Sequence, residues 1–424
     1  MQKKSFIIVL LIFCLAAQAQ NVNRQLPTLA GIWIFKIDGG EIVQRVNVVA
    51  EGNEFKGKVF GQEFTTTLNN NKFEFRQGDF QWSGLLQGEN LSGEILNNGT
   101  ITKWSARRAP SNTPTKTYDY SPQPFSYSRY FSSKDAPVLR LNRGDVVRTK
   151  TIDASGTDEN SKNVSWGGNP LTGPFFIENA VPGDVLVIKL KKVQTNRSWA
   201  FSGRALMDNV LDASYIRDRK FDRIDNAWLI EKEKNIVRLE KPTDNLKNLS
   251  VPLEPFLGCI GVAPPDGASL RSRDSGVFGG NMECRYVREG ATIYLPVFQD
   301  GAYLFLGDGH ANQGDGELAG DALETSMDVE FSVEVLESQS NRTPRVENED
   351  SLISIGIAGS LDNATRTATS DLARWLEADY KLSSPETAMI LGFANKYEIA
   401  DLVPPYLTVL ARIQKKMLMP IVKK

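Results

Sequence analysis

The sequence predicts a mainly β protein, in which a small antiparallel barrel or sandwich precedes a larger, two-sheet β-rich domain with C-terminal helices. Short segments of alternating apolar and polar residues fill positions 31–108, which is typical of antiparallel strands. A stretch with four prolines follows at 109–125, and helical periodicity begins only near Ala368. A chain of 424 residues is also long enough for more than one domain.

Residues 1–19 have the features of a cleavable signal peptide. A short basic start precedes an apolar run from Phe6 to Leu15, which is too short to span a bilayer comfortably. Ala17-Gln18-Ala19 then fits the small-x-small cleavage pattern, so the mature chain is expected to begin at Gln20. A lipoprotein would need a small residue before Cys14, where Phe13 stands instead. We therefore expect a secreted or periplasmic protein without a membrane anchor.

Charge and cysteine content exclude some classes of protein and leave others open. The chain has 49 Lys and Arg against 51 Asp and Glu, a net charge of −2, which offers no electrostatic reason to bind nucleic acid. After removal of the signal peptide, Cys259 and Cys284 remain. In an oxidising compartment they could form a disulfide, but two buried thiols are an equal alternative because a chain this long can build a core without one.

Residues 20–110 are expected to form the small β-module. Gly31-Ile32-Trp33-Ile34-Phe35 opens the alternating pattern, and Asn97-Asn98-Gly99 is a hairpin turn signal. The Gly-x-Trp opening and the ending Trp104-Ser105-Ala106-Arg107-Arg108 resemble small lipocalin-like β-modules at the front of exported bacterial enzymes. Residues 111–125 are expected to be a semi-rigid linker, because prolines there alternate with Ser, Thr and Asn.

Residues 126–424 are expected to form the larger domain. Two helices are predicted near its end. The first has one apolar face formed by Ala368, Leu372, Trp375 and Leu376. The second is expected to begin at Ser383-Ser384-Pro385-Glu386, which combines an N-cap, a first-turn proline and a capping box.

The strongest functional signal is the segment Gly307–Glu317, which contains the only histidine of the chain, His310. It follows the apolar run Tyr303-Leu304-Phe305-Leu306 and combines the imidazole with carboxylates, amides and glycines. We expect a buried strand that delivers these groups onto a glycine-rich loop. A turn with ordinary Asp, Asn and Gly chemistry is the alternative. One histidine excludes a three-histidine zinc site, and no Gly-x-Ser-x-Gly nucleophile motif is present.

Several motifs between residues 125 and 420 resemble the acetamidase/formamidase family of amide hydrolases. They follow in the order Pro137-Val138-Leu139 with Gly144-Asp145, Thr151–Gly156, Pro170–Glu178, Pro182–Leu186, Gly258–Pro264, Gly279–Glu283, Tyr294–Val297, Asp308–Glu317 and Glu324–Val329. The resemblance implies a β-rich fold and hydrolysis of carbon–nitrogen bonds in linear amides similar to formamide or acetamide, with release of ammonia or an amine.

Two positions depart from the family pattern. Glu283 stands where the Gly-Gly-Asn-x-Asp motif has its aspartate, and Asn169 stands where family members tend to have a histidine. Tyr127 and Tyr130 occupy an upstream stretch in which further histidines are usual. If any of those histidines is essential to amidase chemistry, the chain has an altered substrate or no activity.

The residues of these motifs could hydrolyse an amide in two ways. Asp308, His310, Glu317 and Glu324, with Glu283, could supply the general base and acid, while Asn281 and Gln313 donate hydrogen bonds. Gln313 and Cys259 are candidate substrate-binding residues, and a nucleophilic Cys259 is the less favoured alternative to a structural cysteine. Asp153, Asp308, His310 and Glu317 could instead hold Zn²⁺, Mn²⁺ or Ca²⁺. The sequence leaves metal-assisted and metal-free hydrolysis open.

Three functions are therefore carried forward. The first is an exported hydrolase of linear amides, which binds a small amide and could form a homodimer. The second is a hydrolase of the same fold with a different substrate. The third is a non-catalytic protein that binds a glycan or peptide.

Overall fold

The computed structural model describes residues 27–39, 42–110, 113–220, 224–338 and 341–421. The predicted signal peptide at 1–19 lies outside these residues. Within them the protein is mainly β, as predicted, with two longer helices near the end of the chain. No helix in this part of the chain is long and apolar enough to cross a membrane.

The first eight strands form one antiparallel sheet that is nearly closed into a barrel. Its strands are β1 (Gly31–Ile37), β2 (Val43–Glu51), β3 (Glu54–Val59), β4 (Gln62–Thr67), β5 (Lys72–Gln77), β6 (Phe80–Gln87), β7 (Asn90–Asn97) and β8 (Thr100–Arg108). Strands that follow one another in sequence pair in the sheet, except β4 and β5, which are its two edges and face each other across a gap, and β1 also pairs with β8. Across the remaining gap, Thr66 on β4 donates a hydrogen bond to the Glu74 carbonyl on β5 at 2.8 Å.

The barrel is filled by the side chains that alternate inward along its strands. Trp33, Phe35, Trp82 and Trp104 are buried there. The predicted turn after β7 has left-handed backbone at Asn98 and Gly99, as a two-residue hairpin requires. The resemblance of this module to lipocalin-like proteins stays a prediction.

The remaining elements build the larger domain. They are β9 (Thr117–Asp119), β10 (Tyr130–Phe131), β11 (Leu139–Leu141), β12 (Val146–Thr151), β13 (Leu171–Ile177), β14 (Val185–Thr195), β15 (Trp199–Phe201), α1 (Ala213–Asp218), β16 (Ala227–Glu231), β17 (Ile236–Leu239), β18 (Ser250–Pro252), β19 (Phe256–Gly261), β20 (Leu270–Arg271), β21 (Ser275–Gly276), β22 (Gly279–Asn281), β23 (Thr292–Pro296), β24 (Leu304–His310), β25 (Glu324–Thr325), β26 (Met327–Leu336), β27 (Arg345–Glu347), β28 (Ser351–Ala358), α2 (Leu361–Tyr380), α3 (Ser384–Ala394), β29 (Lys396–Asp401) and β30 (Leu407–Gln414).

Two large sheets of this domain enclose one core. The first has the order β29-β30-β28-β27-β23-β14-β26-β12-β9, and the second has the order β18-β17-β16-β15-β25-β24-β19-β22-β21 with β13 and β11 attached. Ile188 on β14 and Phe331 on β26 of the first sheet lie in the same buried cluster as Ile260 on β19 and Leu306 on β24 of the second. The predicted two-sheet architecture is therefore confirmed.

The two predicted helices are also present. Ala368, Leu372, Trp375 and Leu376 are the buried face of α2, and they pack on the first sheet. Ser383 and Glu386 form the capping box of α3. Part of the predicted linker has a different structure, because Thr117–Asp119 pairs in parallel with β12 and extends the first sheet.

The barrel-like module contacts the larger domain through arginines. Arg45 Nη2 lies 2.7 Å from Asp184 Oδ2, and Arg107 forms an ion pair with Asp300. Ile34 packs with Val181 beside them.

Candidate active site

Four neighbouring strands of the second sheet carry candidate residues to one place. Asn281 ends β22 and pairs with Cys259 on the adjacent β19. The next strand, β24, carries Asp308 and His310, and His310 pairs with Glu324 on β25. Residues separated by up to 65 positions in the chain (from Cys259 to Glu324) therefore meet because of the order of the strands.

His310 lies among four carboxylates, which approach both nitrogens of its ring. Its Nε2 is 3.0 Å from Glu324 Oε1 and 3.5 Å from Asp308 Oδ1. Its Nδ1 is 3.4 Å from Glu283 Oε2. Its neighbours form two sets of possible metal ligands, and the ligand atoms within each set lie within 4.8 Å of one another. One set is Glu283, His310 and Glu317, and the other is Asp308, His310 and Glu324. We call these five residues the His310 cluster.

A hydrogen-bond network fixes the orientation of the Asn281 amide beside the cluster. Asn169 Nδ2 donates to Asn281 Oδ1 and to Asp308 Oδ2, both at 2.8 Å. The Cys259 thiol donates to the same Asn281 oxygen at 2.8 Å. A rotated Asn281 amide would place its NH₂ group against two donors, so the oxygen must face them. The Asn281 NH₂ group is thereby left for other partners.

Gly258 leaves the space in which the cluster sits. A Cβ atom at this position would lie 2.7 Å from Glu283 Oε1, 2.8 Å from Asp308 Oδ2 and 2.8 Å from His310 Cε1. These distances are shorter than real Cβ contacts allow. Any side chain at Gly258 would therefore displace the functional groups.

Four polar residues of the site have left-handed backbone. The φ angles are 55° at Asn169, 53° at Glu283, 58° at Asp308 and 47° at Glu317. Such conformations cost non-glycine residues about 1–3 kcal/mol each and are found where function requires a particular side-chain direction. The surrounding fold holds these side chains in their positions at that cost.

The cluster contains more negative than positive charge and is shielded from water. Burial lowers the pKa of His310, but Glu324, Glu283 and Asp308 outweigh that effect and hold the pKa well above its usual value. Burial raises the pKa of Glu324 to about 7, against the opposing effect of His310. Burial, with neighbouring carboxylates, also raises the pKa values of Glu283 and Glu317. Four carboxylates next to one imidazole thus need protons or a cation to be stable.

The polar atoms of the cluster fit a divalent cation. Glu283 Oε1 and Oε2, Asp308 Oδ1, Glu324 Oε2 and both nitrogens of His310 are buried without a hydrogen-bond partner among the described residues. Buried polar atoms are normally paired, so six unpaired atoms at one place indicate a binding site for a cation. Oxygen atoms with one imidazole nitrogen suit Zn²⁺, Mn²⁺ or Ca²⁺.

A cleft of about 580 Å³ gives access to the cluster. Its buried wall includes Glu317 and Glu324 of the cluster, together with Asn281. Exposed residues, among them Arg271 and Arg273, line its outer part. A ligand in the cleft would meet the Asn281 amide and two carboxylates of the cluster.

Comparison with known proteins places this geometry in a family. The sequence profile of the acetamidase/formamidase family matches residues 128–275 and 269–353, which together are more than half of the chain. The chain belongs to the acetamidase/formamidase family. A Schizosaccharomyces pombe protein named as a formamidase is 26% identical over 251 residues, and the formamidase of Methylophilus methylotrophus is 23% identical over 236 residues. These matches cover 46% and 43% of the chain and 60% and 58% of the two relatives, which is less than two thirds of their length.

Solved structures of the family have the same fold. A crystal structure named as an acetamidase/formamidase from Thermoanaerobacter tengcongensis has 28% identity and a TM-score of 0.61, covering 72% of this chain and 98% of that one. The acetamidase from Yersinia enterocolitica has 27% identity and the same TM-score, covering 72% and 94%. The family fold expected from the sequence motifs is therefore confirmed.

Two residues predicted from the sequence have partners outside the cluster. Asp153, expected as a metal ligand, forms a buried ion pair with Arg197 at 2.6 Å and accepts hydrogen bonds from the Ser155 and Thr157 backbone. It belongs to neither set of possible ligand atoms. Gln313, expected as a donor to substrate, donates instead to the Ala400 carbonyl at 3.3 Å. Both side chains support the fold around the site.

The predicted glycine-rich loop is in part a strand. Gly307, Asp308, Gly309 and His310 all belong to β24. A Cβ atom at Gly307 would lie 2.7 Å from the Pro170 carbonyl oxygen, so this glycine permits close packing of the backbone. A strand holds Asp308 and His310 more rigidly than a loop would.

The thiols of Cys259 and Cys284 are free and buried, so the disulfide alternative is wrong. Burial and the neighbouring Asp308 raise the pKa of Cys259 well above its usual value, which argues against a thiolate nucleophile.

Sequence reasoning missed two contributors to the site. Gly258 was only part of a longer motif, and its role depends on a cross-strand contact that no local pattern reveals. Asp401 on β29 is buried, and burial, with Asp308, raises its pKa to about 7. Its only signal in the sequence is an acidic residue that follows Ile399-Ala400 and shortly precedes the Pro404-Pro405 pair.

Proposed function

We propose that the protein hydrolyses linear amides at the His310 cluster and releases ammonia or an amine. The observation that carries this proposal is the buried cluster of one imidazole and four carboxylates that opens into a cleft beside a fixed amide donor. The named activities of the formamidase and acetamidase relatives support it. In the reaction, water adds to the carbonyl carbon, the C–N bond breaks, and the leaving nitrogen takes a proton.

Asn281 would bind the substrate oxygen. Its side-chain oxygen is held by Asn169 and Cys259, and its residue lines the cleft. The NH₂ group can therefore donate to the carbonyl oxygen, where negative charge develops as water adds. Removal of one such donor typically costs 10²–10³-fold in rate, or about 3–4 kcal/mol.

Glu317 would carry the proton. It lines the cleft and belongs with Glu283 and His310 to one set of possible ligand atoms. Burial raises the pKa of this carboxyl, which makes it a stronger base that can take a proton from the attacking water and return it to the leaving nitrogen.

A divalent cation would be held by Asp308, His310 Nε2 and Glu324. Asn169 donates a hydrogen bond to Asp308 Oδ2, so the other carboxylate oxygen, Oδ1, is the one that faces the imidazole. Glu283 lies on the opposite side of the ring, at Nδ1. A carboxylate behind a histidine orients the ring and increases its basicity toward a metal. Such a cation, when bound, polarises the carbonyl and lowers the pKa of water.

Ammonia release from formamide, acetamide and propionamide, measured together with the metal content of the purified protein, tests this proposal. We expect turnover of at least one amide, a stoichiometric divalent metal, and loss of activity on chelation that the same metal restores. Turnover that survives complete removal of metal would select acid–base catalysis by the carboxylates alone. No turnover of any linear amide by metal-loaded protein would reject the function.

We also propose that the protein is exported. The proposal rests on the signal-peptide features of residues 1–19. Sequencing the N-terminus of the protein from its own host should find Gln20 or a residue close to it, whereas Met1 would contradict export with cleavage.

A further inference from the structure

The outer part of the cleft carries more positive charge than a small neutral amide requires. Arg271 and Arg273 line it and are exposed, and Arg129 is exposed on the adjoining segment. The exposed acidic residue of the lining is Asp321, and the lining also contains Asp274, which is buried. The lining thus has two exposed arginines, with Arg129 adjoining them, and one exposed carboxylate, because the other acidic groups, Asp274, Glu317 and Glu324, are buried.

Pairing inside the cleft leaves two of the arginines available. Asp274 is occupied by Arg271, since its Oδ1 lies 3.5 Å from Arg271 Nη2 and its Oδ2 accepts the Arg271 backbone N–H at 3.0 Å. In the part of the chain that the structure describes, neither Arg129 nor Arg273 has a carboxylate within 4.0 Å. Arg273 interacts with the exposed Asp321 only electrostatically, without an ion-pair contact.

The fold brings these two arginines to one position. The backbone N–H of Ser272 donates to the Arg129 carbonyl at 2.9 Å, so the segments that carry Arg129 and Arg273 run side by side. At Gly168, a Cβ atom would lie 3.5 Å from Arg129 Nη2 and 3.9 Å from Arg273 Cδ. Gly168 itself lines the cleft, and Asn169, which contacts Asn281, is the next residue.

We propose that the preferred substrates are linear amides whose acyl chain ends in a carboxylate, that is, short monoamides of dicarboxylic acids. This inference rests on the proposed amidase function and adds the substrate class. The amide group lies at Asn281 and the His310 cluster, and the distant carboxylate is bound by Arg129 and Arg273. For succinamate, water addition breaks the C–N bond and gives succinate and an ammonium ion, so atoms and charge balance.

The size of the cleft agrees with this substrate class. Its volume of about 580 Å³ is many times the roughly 30 Å³ that one water molecule occupies in the liquid. Formamide, with three non-hydrogen atoms, would leave most of it filled with water and would not reach the arginines. An arginine can bind a carboxylate with two parallel hydrogen bonds, which fixes direction as well as charge.

The test compares kcat/KM for malonamate, succinamate and glutaramate with kcat/KM for the neutral amides succinamide and butyramide, using metal-loaded full-length protein. We expect at least one anionic substrate to exceed its neutral counterpart by about 10- to 100-fold, as one or two charge-assisted hydrogen bonds allow. Raising the salt concentration should reduce this advantage.

Arginine variants decide whether the proposed residues are responsible. Arg273→Ala and Arg129→Ala should each lower kcat/KM for the anionic substrate about tenfold, mainly through KM, and leave the neutral amides within about twofold. Arg366→Ala, an exposed arginine on α2, is the matched control and should change neither. Hydrolysis of neutral amides with no preference for the anionic ones, or equal effects of the variants on both, would overturn this inference alone. No hydrolysis of any amide would overturn the proposed function as well.

Discussion

At the scale of single residues, the function of the site depends on how hydrogen bonds orient a few side chains. Asn281 was expected to be a donor from its motif, but its motif does not reveal which end of the amide faces the cleft. Asn169 and Cys259 decide this by occupying its oxygen. Asn169 thus orients a second amide beside the His310 cluster.

The first prediction concerns Cys259. Cys259→Ala removes the thiol donor to Asn281, so kcat should fall about tenfold with little change in KM, whereas Cys259→Ser, which keeps an O–H donor, should retain most of the activity. Steady-state kinetics on one amide checks both. Cys284→Ser, at the other buried thiol, is the control. Complete inactivity of a well-folded Cys259→Ser protein would mean that the sulfur is the nucleophile.

The second prediction concerns Asp401 and pH. Its pKa is raised from 3.8 to about 7, first by burial, so the folded state binds a proton that the unfolded state releases. The stability from this group is complete below about pH 4 and is lost as pH rises through about 7, by up to about 4 kcal/mol. Thermal unfolding of chelator-treated protein from pH 5 to 8 should therefore show a falling Tm.

Asp401→Asn imitates the protonated carboxyl and should make the decrease of Tm with rising pH smaller. Its side-chain oxygen can still accept the Val403 N–H, which Asp401 accepts at 2.6 Å. The variant should be more stable than the wild type at pH 8 and similar at pH 5. An unchanged pH profile in the variant would show that Asp401 does not hold the proton.

At the scale of the elements, β19 supplies the space for the cluster and β24 supplies its centre. We predict that Gly258→Ala loses metal and activity, because its Cβ would meet Glu283, Asp308 and His310. Metal content and ammonia release are the measurements. Gly392→Ala on α3, where a Cβ meets nothing within 4 Å, should leave both unchanged and stabilise the protein by about 0.5–1 kcal/mol. Full metal occupancy in Gly258→Ala would contradict the assigned position of the cluster.

The helices and strands show most clearly which features of the protein a single sequence predicts. The helices α2 and α3 were predictable because an apolar face and a capping box are local patterns. The members of the cluster were only partly predictable. Asp153 and Glu324 both look like acids at strand ends, but sheet order brings Glu324 to His310, and Arg197 pairs with Asp153. Strand order and long-range ion pairs leave no local signal in a single sequence.

At the scale of the whole molecule, the barrel-like module lies against the larger domain, and none of its described residues lines the cleft. Its arginines reach Asp184 and Asp300, and neither acid lines the cleft. We predict that a chain beginning at Thr115 folds and keeps kcat/KM within about threefold, with a Tm lowered by a few degrees because the ion pairs of Arg45 and Arg107 are lost. Circular dichroism and amide turnover check this. Inactivity of the folded shorter chain would assign the module a part in the site.

The rate of ammonia release by His310→Ala, compared with wild type on the same amide, tests the central claim most directly. His310 lies within 3.5 Å of Glu283, Asp308 and Glu324, and its possible ligand atom lies within 4.8 Å of that of Glu317, so we predict a loss of at least about 10³-fold together with the metal. Near-ultraviolet circular dichroism should show that the fold is retained. A folded His310→Ala protein that releases ammonia at the wild-type rate would contradict the assignment of this cluster as the active site.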